Sequence, residues 1–237
     1  MSFEIVFNEA AHTYQLEGIL VPGTTTVTGM CPKPWLAAWA AKEVVTAIIE
    51  NCNGHLTPEL KKIVQDAKSA WRMKRDKAAD SGTMAHAHIE NFIKTKTPPF
   101  LYENKEVQNS VELFFTWLGA NQVEWLESEI VVGSKIHMYA GKFDAVAKVN
   151  GKVTLIDFKT SSGIYDEHGI QLAGYQMAYE ELGKSPAIEQ RMILWLPKKG
   201  GKFEARIIET PLSEDKQCFL NLLGVYRYFR NRELEKK

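Results

Sequence analysis

The sequence predicts an α/β fold of the α+β type, in which helices flank a central mixed β-sheet and a helical region precedes it. Helical periodicity extends over most of residues 35–121, whereas residues 127–160 are typical of consecutive strands, followed by a helix, two strands and a helix. The chain has 237 residues, of which 45% are hydrophobic and 24% charged. This size fits a single domain, with an amino-terminal region over residues 1–80 and a core over residues 81–237.

The amino-terminal residues are predicted to form short strands. Residues 3–6, 12–16 and 21–28 alternate in polarity and are separated by turn residues, and the third segment ends in the β-branched run Thr24–Thr28. Pro32 and Pro34 then interrupt the pattern. We therefore expect β-structure before the first helix.

Four helices are predicted next. The first carries its apolar residues along one side, and Pro58 suits the first turn of the second. The segment Ser81-Gly82-Thr83 is expected to separate the second helix from the third, and two prolines follow the third. The predicted helices are residues 35–51, 58–79, 84–96 and 105–121.

The second of these helices is the most basic stretch of the chain. Such a face is either solvated or in contact with DNA phosphates, and the sequence leaves both interpretations open. Trp71 on the same helix is expected to pack in the core rather than to stack on a base. The basic residues are Lys61, Lys62, Lys68, Arg72, Lys74, Arg75 and Lys77.

The second half of the chain predicts the sheet. Asn150-Gly151 lies between two runs rich in β-branched residues, a strong signal for a two-residue type I′ turn. A final helix is expected to begin at the capping residue Ser213. The predicted order is strand 127–137, hairpin strands 139–149 and 153–160, helix 165–182, strands 190–196 and 203–209, and helix 213–233.

The hairpin register can be derived from its turn. If Asn150 and Gly151 form the loop, Asp144 lies opposite Asp157 in a non-hydrogen-bonded pair, and Lys142 lies opposite Lys159. The two carboxylates would then carry Cβ atoms about 5 Å apart and repel each other by about 3 kcal/mol at an effective dielectric near 20. Such a pair requires a cation beside it. The alternative is that these residues are ordinary solvated side chains of the strands.

The alternation of the strands assigns the faces. Asp157 and Lys159 point to one face, and Ile156 and Phe158 point to the other. Phe143 is expected on the apolar face, opposite Phe158.

Two helices carry further polar pairs. His86 and Glu90 are four positions apart and share one helical face, where His86 could either reach a metal or simply cap or pack the helix. Gln171 and Tyr175, also one turn apart, are either surface residues or neighbours of Lys159.

Composition narrows the class of protein. The formal net charge is zero, which argues against electrostatic coating of nucleic acid but allows a local basic groove. We expect no membrane association, because no apolar run approaches about 20 residues, and we therefore expect a cytoplasmic location. Cys31, Cys52 and Cys218 lack the spacing of a zinc or iron–sulfur site.

Five short segments occur in an order and spacing seen in one known group. On these segments the chain resembles the PD-(D/E)XK nuclease superfamily, specifically its RecB-like branch, which includes phage exonucleases, CRISPR-adaptation nucleases and the mitochondrial genome maintenance exonuclease. The acidic residue before the lysine is Asp157 instead of the commoner Glu, and the cluster cysteines of the CRISPR-adaptation members have no counterpart. The segments are residues 82–90, the strand with Glu129, and residues 141–144, 157–160 and 171–175.

The resemblance implies a restriction-endonuclease-like core and a divalent metal, Mg²⁺ or Mn²⁺. It implies that Asp144 and Asp157 are catalytic metal ligands, that His86 and the backbone carbonyl of Phe158 complete the ligand set, and that Lys159 positions or activates the attacking water. Glu129 either contributes to a second metal position or orients the first ligands. The residues implied for substrate positioning are Gln171 and Tyr175, with Glu90 and Thr160 as further candidates.

The resemblance implies a metal-dependent DNA exonuclease of recombination, repair or replication, located in the cytoplasm of a bacterium or of a phage-infected cell. Its expected partners are DNA, as single strands or duplex ends, and a single-strand-binding or annealing protein. Three alternatives stay open: an inactive nucleic-acid-binding module with the same fold, a structure-specific endonuclease, and a phosphohydrolase that acts on small molecules.

Overall fold

The computed structural model describes residues 3–52 and 60–235. The chain divides into two compact units, one formed by Met1–Cys31 with Met84–Lys237 and the other by Pro32–Thr83. The amino-terminal strands thus belong to the same unit as the core residues. The prediction from the sequence had instead grouped these strands with the helical residues up to residue 80. That the chain acts as one domain stays a prediction.

A small antiparallel sheet opens the first unit. Its strands β1 (Ile5–Asn8), β2 (Thr13–Leu16) and β3 (Ile19–Val21) pair in sequence order, and helix α1 (Thr24–Thr28) follows. The prediction of a strand at Thr24–Thr28 was wrong. Gly23 provides an extended start, and the Thr28 hydroxyl donates to the Thr24 carbonyl at 3.3 Å, as a helical turn allows.

Three helices come next, α2 (Pro34–Cys52), α3 (Leu60–Thr95) and α4 (Lys105–Gly119). The first and last confirm the predicted helices. The predicted break at residues 81–83 was wrong, because α3 continues through Gly82, which is buried, and the Thr83 hydroxyl donates to the Ala79 carbonyl at 3.2 Å. Asn104 caps α4 by accepting from the N–H of Val107 at 3.0 Å.

The central sheet of five strands has the order β4-β5-β6-β7-β8. The β4–β5, β5–β6 and β7–β8 pairs are antiparallel, whereas β6 and β7 are parallel. This is the mixed sheet predicted from the sequence. The strands are β4 (Val123–Ser134), β5 (Tyr139–Val149), β6 (Lys152–Lys159), β7 (Gln190–Trp195) and β8 (Glu204–Ile207).

Helices α5 (Asp166–Glu181) and α6 (Leu212–Glu235) complete the first unit. One apolar cluster joins the carboxyl end of α3, through Ile89 and Ile93, to α4 and to one face of the sheet. The other joins α5 and α6, through Leu172 and Phe219, to the opposite face. Helices therefore flank both faces, as expected for the predicted core. None of the helices in the described part of the chain combines the length and apolarity of a membrane span.

Candidate active site

The central sheet splits where β5 and β6 carry Asp144 and Asp157. The predicted register holds from Val149↔Lys152 to Ala145↔Ile156, and the pairing ends there. Beyond that point β5 stays paired with β4, and β6 stays paired with β7 through Asp157↔Ile193. The predicted pairing of Asp144 with Asp157 was therefore wrong, because each strand follows its outer neighbour and the two separate at these residues.

The carboxylate of Asp144 lies in this opening. Its Oδ2 accepts from the backbone N–H of Phe158 at 2.6 Å, and its Oδ1 lies 3.1 Å from Nδ1 of His86 on α3. Burial raises the pKa of Asp144, but the charge and hydrogen bond of His86, the charge of Lys159 and the N–H of Phe158 outweigh burial and lower the pKa overall. Asp144 is thus held as a carboxylate.

Asp157 begins a chain of polar contacts that runs from β6 to α5. Nζ of Lys159 lies 2.5 Å from Oδ2 of Asp157 and donates to Oε1 of Gln171 at 3.1 Å. Nε2 of Gln171 in turn donates to the hydroxyl of Tyr175 at 2.8 Å. Gln171 and Tyr175 are both buried. Of the two interpretations left open for this pair, the structure supports neighbours of Lys159 over surface residues.

The charges at Asp157 and His86 depend on each other. Burial raises the pKa of Asp157, and the charge of Asp144 adds to this, so that the pKa is raised despite the opposing charge of Lys159. For His86 burial lowers the pKa, but the charge and hydrogen bond of Asp144 and the charge of Asp157 raise it overall. Asp144, Asp157, Lys159 and His86 therefore form one electrostatically coupled group.

Phe143 lies on the face opposite to the predicted one. It belongs to the cluster of α5 and α6 and its ring centroid is 5.5 Å from that of Tyr175, whereas Phe158 belongs to the cluster of α3 and α4. The prediction that both phenylalanines share a face was wrong. The alternation of β5 is lost beside Asp144, since Ala145 packs with Phe158.

Gly141 is required by close packing behind the site. A Cβ atom at this position would lie 2.6 Å from Cε1 of Tyr175 and within contact distance of the Thr24 hydroxyl. That hydroxyl donates to the carbonyl of Ala140 at 3.0 Å. Gly141 thus allows α1 and α5 to approach β5, a role that a glycine inside a strand signals only weakly.

Glu129 forms an ion pair with Lys142, a residue to which the sequence assigned no role. The two side chains are largely buried. Burial raises the pKa of Glu129, the hydrogen bond from Lys142 lowers it, and the nearby charges of Asp144 and Glu90 leave it raised overall. For Lys142 burial lowers the pKa, but Glu129, with the charges of Glu90 and Glu9, raises it overall. The position of Lys142 two residues before Asp144 in the sequence was the available signal.

Glu90 and Thr160 were the further candidates for positioning the substrate. Glu90 forms an ion pair with Lys94 on its own helix. Thr160 follows Lys159 directly and is half-buried. The roles of both residues in substrate positioning, and of the Phe158 carbonyl as a ligand, stay predictions.

The donor set suits a hard divalent cation. Oδ2 of Asp157 is buried without a hydrogen-bond partner of suitable geometry, although the Lys159 ammonium forms an ion pair with it. Carboxylate oxygens with one imidazole match Mg²⁺ or Mn²⁺. In the arrangement described, no group of three or more histidine, cysteine or carboxylate side chains of the described residues already forms a metal cage. His86 and Lys159 instead contact the two carboxylates.

The basic face of α3, for which the sequence leaves both solvation and contact with DNA open, lies mostly outside the part of the chain whose side chains the structure describes. This concerns residues 60–75, including Trp71, whereas Lys77 is exposed. Contact of this face with DNA therefore stays a prediction.

A protein-family model described as the PD-(D/E)XK nuclease superfamily matches residues 59–226. The chain belongs to this superfamily. PD-(D/E)XK nucleases generally use divalent metal ions, in agreement with the donor set described above. A comparison with curated proteins finds no match.

Solved structures similar to this PD-(D/E)XK protein include an alkaline exonuclease (LHK-Exo) from Laribacter hongkongensis. It is 12% identical over 64% of this chain and 84% of its own, with a TM-score of 0.31. The protein SSO0001 is 15% identical over 83% of this chain and 87% of its own, with a TM-score of 0.33. LHK-Exo in complex with dAMP is 13% identical over 83% of this chain and 96% of its own, with a TM-score of 0.29. These scores are low, and the family rests on the sequence match alone.

Proposed function

We propose that this protein is a divalent-metal-dependent deoxyribonuclease of the RecB-like branch that acts as an exonuclease in DNA recombination, repair or replication. The observation that carries the proposal is the meeting of Asp144 and Asp157 at the split between β5 and β6, with His86 and Lys159 against them. The assignment to the RecB-like branch rests on the order of the segments from residue 82 to Tyr175.

The proposed ligands are His86, Asp144, Asp157 and the backbone carbonyl of Phe158. Bound there, Mg²⁺ or Mn²⁺ would polarise the scissile phosphate and lower the pKa of a coordinated water. The N–H of Phe158 on β6 donates to one oxygen of Asp144 and holds this carboxylate in the opening, because the backbone of β5 no longer accepts that hydrogen bond. The chain thus holds its carboxylates in place before substrate arrives.

Lys159 orients the attacking water and stabilises the negative charge of the transition state. Its ammonium is held between Asp157 and Gln171, at 2.5 Å and 3.1 Å, so it can hydrogen-bond an attacking water and share developing negative charge. Tyr175 fixes the amide of Gln171, which leaves its carbonyl oxygen facing the lysine. Gln171 and Tyr175 are therefore positioning residues for Lys159.

One assay tests both activity and mode. End-labelled linear DNA and closed circular DNA, each single- and double-stranded, are incubated with Mg²⁺ or Mn²⁺ and with wild type, Asp157→Ala or Lys159→Ala. We expect degradation of the linear forms by wild type only. The control is Lys148→Ala, which removes an exposed lysine of β5 that pairs with Glu124 at 3.4 Å, and it should retain full activity.

The other outcomes separate the alternatives. Cutting of closed circles would replace the exonuclease with an endonuclease. No cutting of DNA or RNA, with retained binding, would indicate an inactive binding module, and degradation unaffected by Asp157→Ala would remove the proposed site. The expected protein partner, a single-strand-binding or annealing protein, and the cytoplasmic location stay predictions that this assay does not address.

A further inference from the structure

Lys142 is held tightly beside the candidate active site. It precedes Asp144 by two positions on β5, and its ammonium pairs with Oε2 of Glu129, with 25% and 16% of the two side chains exposed. The ammonium also lies 5.6 Å from the ring centroid of Phe7 on β1. A carboxylate and an aromatic face therefore fix the position of this charge.

The backbone of Glu129 is strained to reach this arrangement. Its φ is 53°, in the left-handed region, although it lies inside a strand. Its neighbours Ser128 and Ile130 pair with Ala145 and Phe143, the residues on either side of Asp144. The strained residue therefore lies next to Asp144 across the β4–β5 pair, and strain of this kind is typical of functional positions.

The carboxylates of Asp144, Asp157 and Glu129 each contact a different basic side chain. Asp144 contacts His86 and Asp157 contacts Lys159, the two groups beside the proposed metal position. Glu129, by contrast, contacts Lys142. A second divalent cation at Glu129 would have to displace an ammonium that the carboxylate and the Phe7 ring both hold. Asp157 differs, because its buried Oδ2 lacks a hydrogen-bond partner of suitable geometry and can still accept an ion.

We infer that Lys142 takes the place of a second metal ion, so that its ammonium neutralises Glu129 and the centre binds a single divalent cation between Asp144 and Asp157. This inference rests on the proposed metal-dependent function. It resolves the two roles open to Glu129 in favour of orienting the neighbouring groups. Lys142 is a positioning residue, because it acts through Glu129 and not on the reacting atoms.

The test counts bound ions without measuring catalysis. Metal-free protein is titrated with Mn²⁺, and bound ions are counted by isothermal titration calorimetry and by electron paramagnetic resonance. Wild type should bind one ion per chain, Lys142→Met should bind two because Glu129 becomes available, and Lys142→Arg, which retains the charge, should again bind one. The matched control Lys148→Met removes a lysine from the same strand and should bind one ion.

Every outcome is informative. Two ions bound to wild type, or one ion bound to a folded Lys142→Met, would overturn the inference while leaving a metal-dependent nuclease intact. No ion bound to wild type would remove the proposed function itself. If circular dichroism shows that Lys142→Met does not fold, the counts for wild type and Lys142→Arg still decide, since two ions on either would contradict a lysine that substitutes for metal.

Discussion

The backbone N–H of Phe158 donates to the carboxylate of Asp144, where a continued hairpin would have directed it to the carbonyl of Phe143. A side chain of β5 has thus replaced the backbone of β5 as the partner of β6. This replacement couples the split of the sheet to the orientation of a proposed metal ligand.

Substitutions at Asp144 should separate the two functions of its carboxylate. Asp144→Asn keeps an oxygen that can accept from Phe158, whereas Asp144→Ala leaves that N–H without its acceptor, which costs about 1–3 kcal/mol. Urea unfolding should therefore show Asp144→Asn to be more stable than Asp144→Ala. Both variants should lose at least about 10–100-fold of the nuclease activity, the loss typical even of residues that only support a metal ligand. Equal stabilities would contradict a structural role for the hydrogen bond.

Tyr175→Phe should slow the reaction without removing it. The hydroxyl that holds Nε2 of Gln171 at 2.8 Å is lost, so Gln171 orients Lys159 less firmly. A hydrogen bond of about 0.5–1.5 kcal/mol corresponds to a decrease in kcat of about 2–10-fold with little change in KM. Steady-state kinetics would measure it, and a rate equal to that of wild type would exclude Tyr175 from the positioning of Lys159.

Gly141→Ala should destabilise the protein and lower its activity. The added methyl would lie 2.6 Å from Cε1 of Tyr175, and overpacking of this kind costs about 1–3 kcal/mol. The matched control is Gly119→Ala, where a Cβ would meet nothing within 4 Å and which should be neutral or slightly stabilising. Thermal unfolding of both variants is the measurement, and a neutral Gly141→Ala would show that α1 or α5 can move away.

The stability of the metal-free protein should depend on pH through His86. Its pKa is raised above the ordinary value of 6.5, since the charge and hydrogen bond of Asp144 outweigh burial. A raised pKa stabilises the folded state below the unfolded value and this contribution is lost as the pH rises through the folded pKa. The stability of wild type relative to His86→Gln should therefore decrease as the pH rises above about 6.5, the ordinary histidine pKa.

Urea unfolding in the presence of a chelator measures this difference. A difference independent of pH would contradict the proposed His86–Asp144 pair. In the same range the affinity for Mn²⁺ should increase with pH, because the imidazole must be neutral to bind metal.

The sequence predicted correctly those parts of the fold that neighbouring residues determine. Asn150-Gly151 sets the turn, and the register follows correctly for five pairs up to Ala145↔Ile156. The separation of β5 from β6 beyond that point depends on competition with β4 and β7, whose pairing involves residues far away in the chain, such as Ile193. No local pattern reports that competition, so neither the end of the β5–β6 pairing nor the face of Phe143 could be predicted.

The same contrast holds for the helices. Thr24–Thr28 has β-branched residues throughout, but the Thr24 hydroxyl bonds to Ala140 and this tertiary contact prevails over local propensity. Gly82 would weaken an isolated helix by about 1 kcal/mol, yet it is buried and the helix continues. For the site, residue types and spacing indicated Asp144, Asp157, Lys159 and Gln171. The role of Lys142 could not be predicted, because it depends on the ion pair with Glu129 on another strand.

The hydrogen bond between Thr24 and Ala140 joins residues 116 positions apart. During synthesis, β1, β2 and β3 leave the ribosome long before β5 exists to receive them. The nascent chain must therefore carry Tyr14 and Leu16, both buried in the finished protein, in solvent or on a chaperone until β5 has been translated.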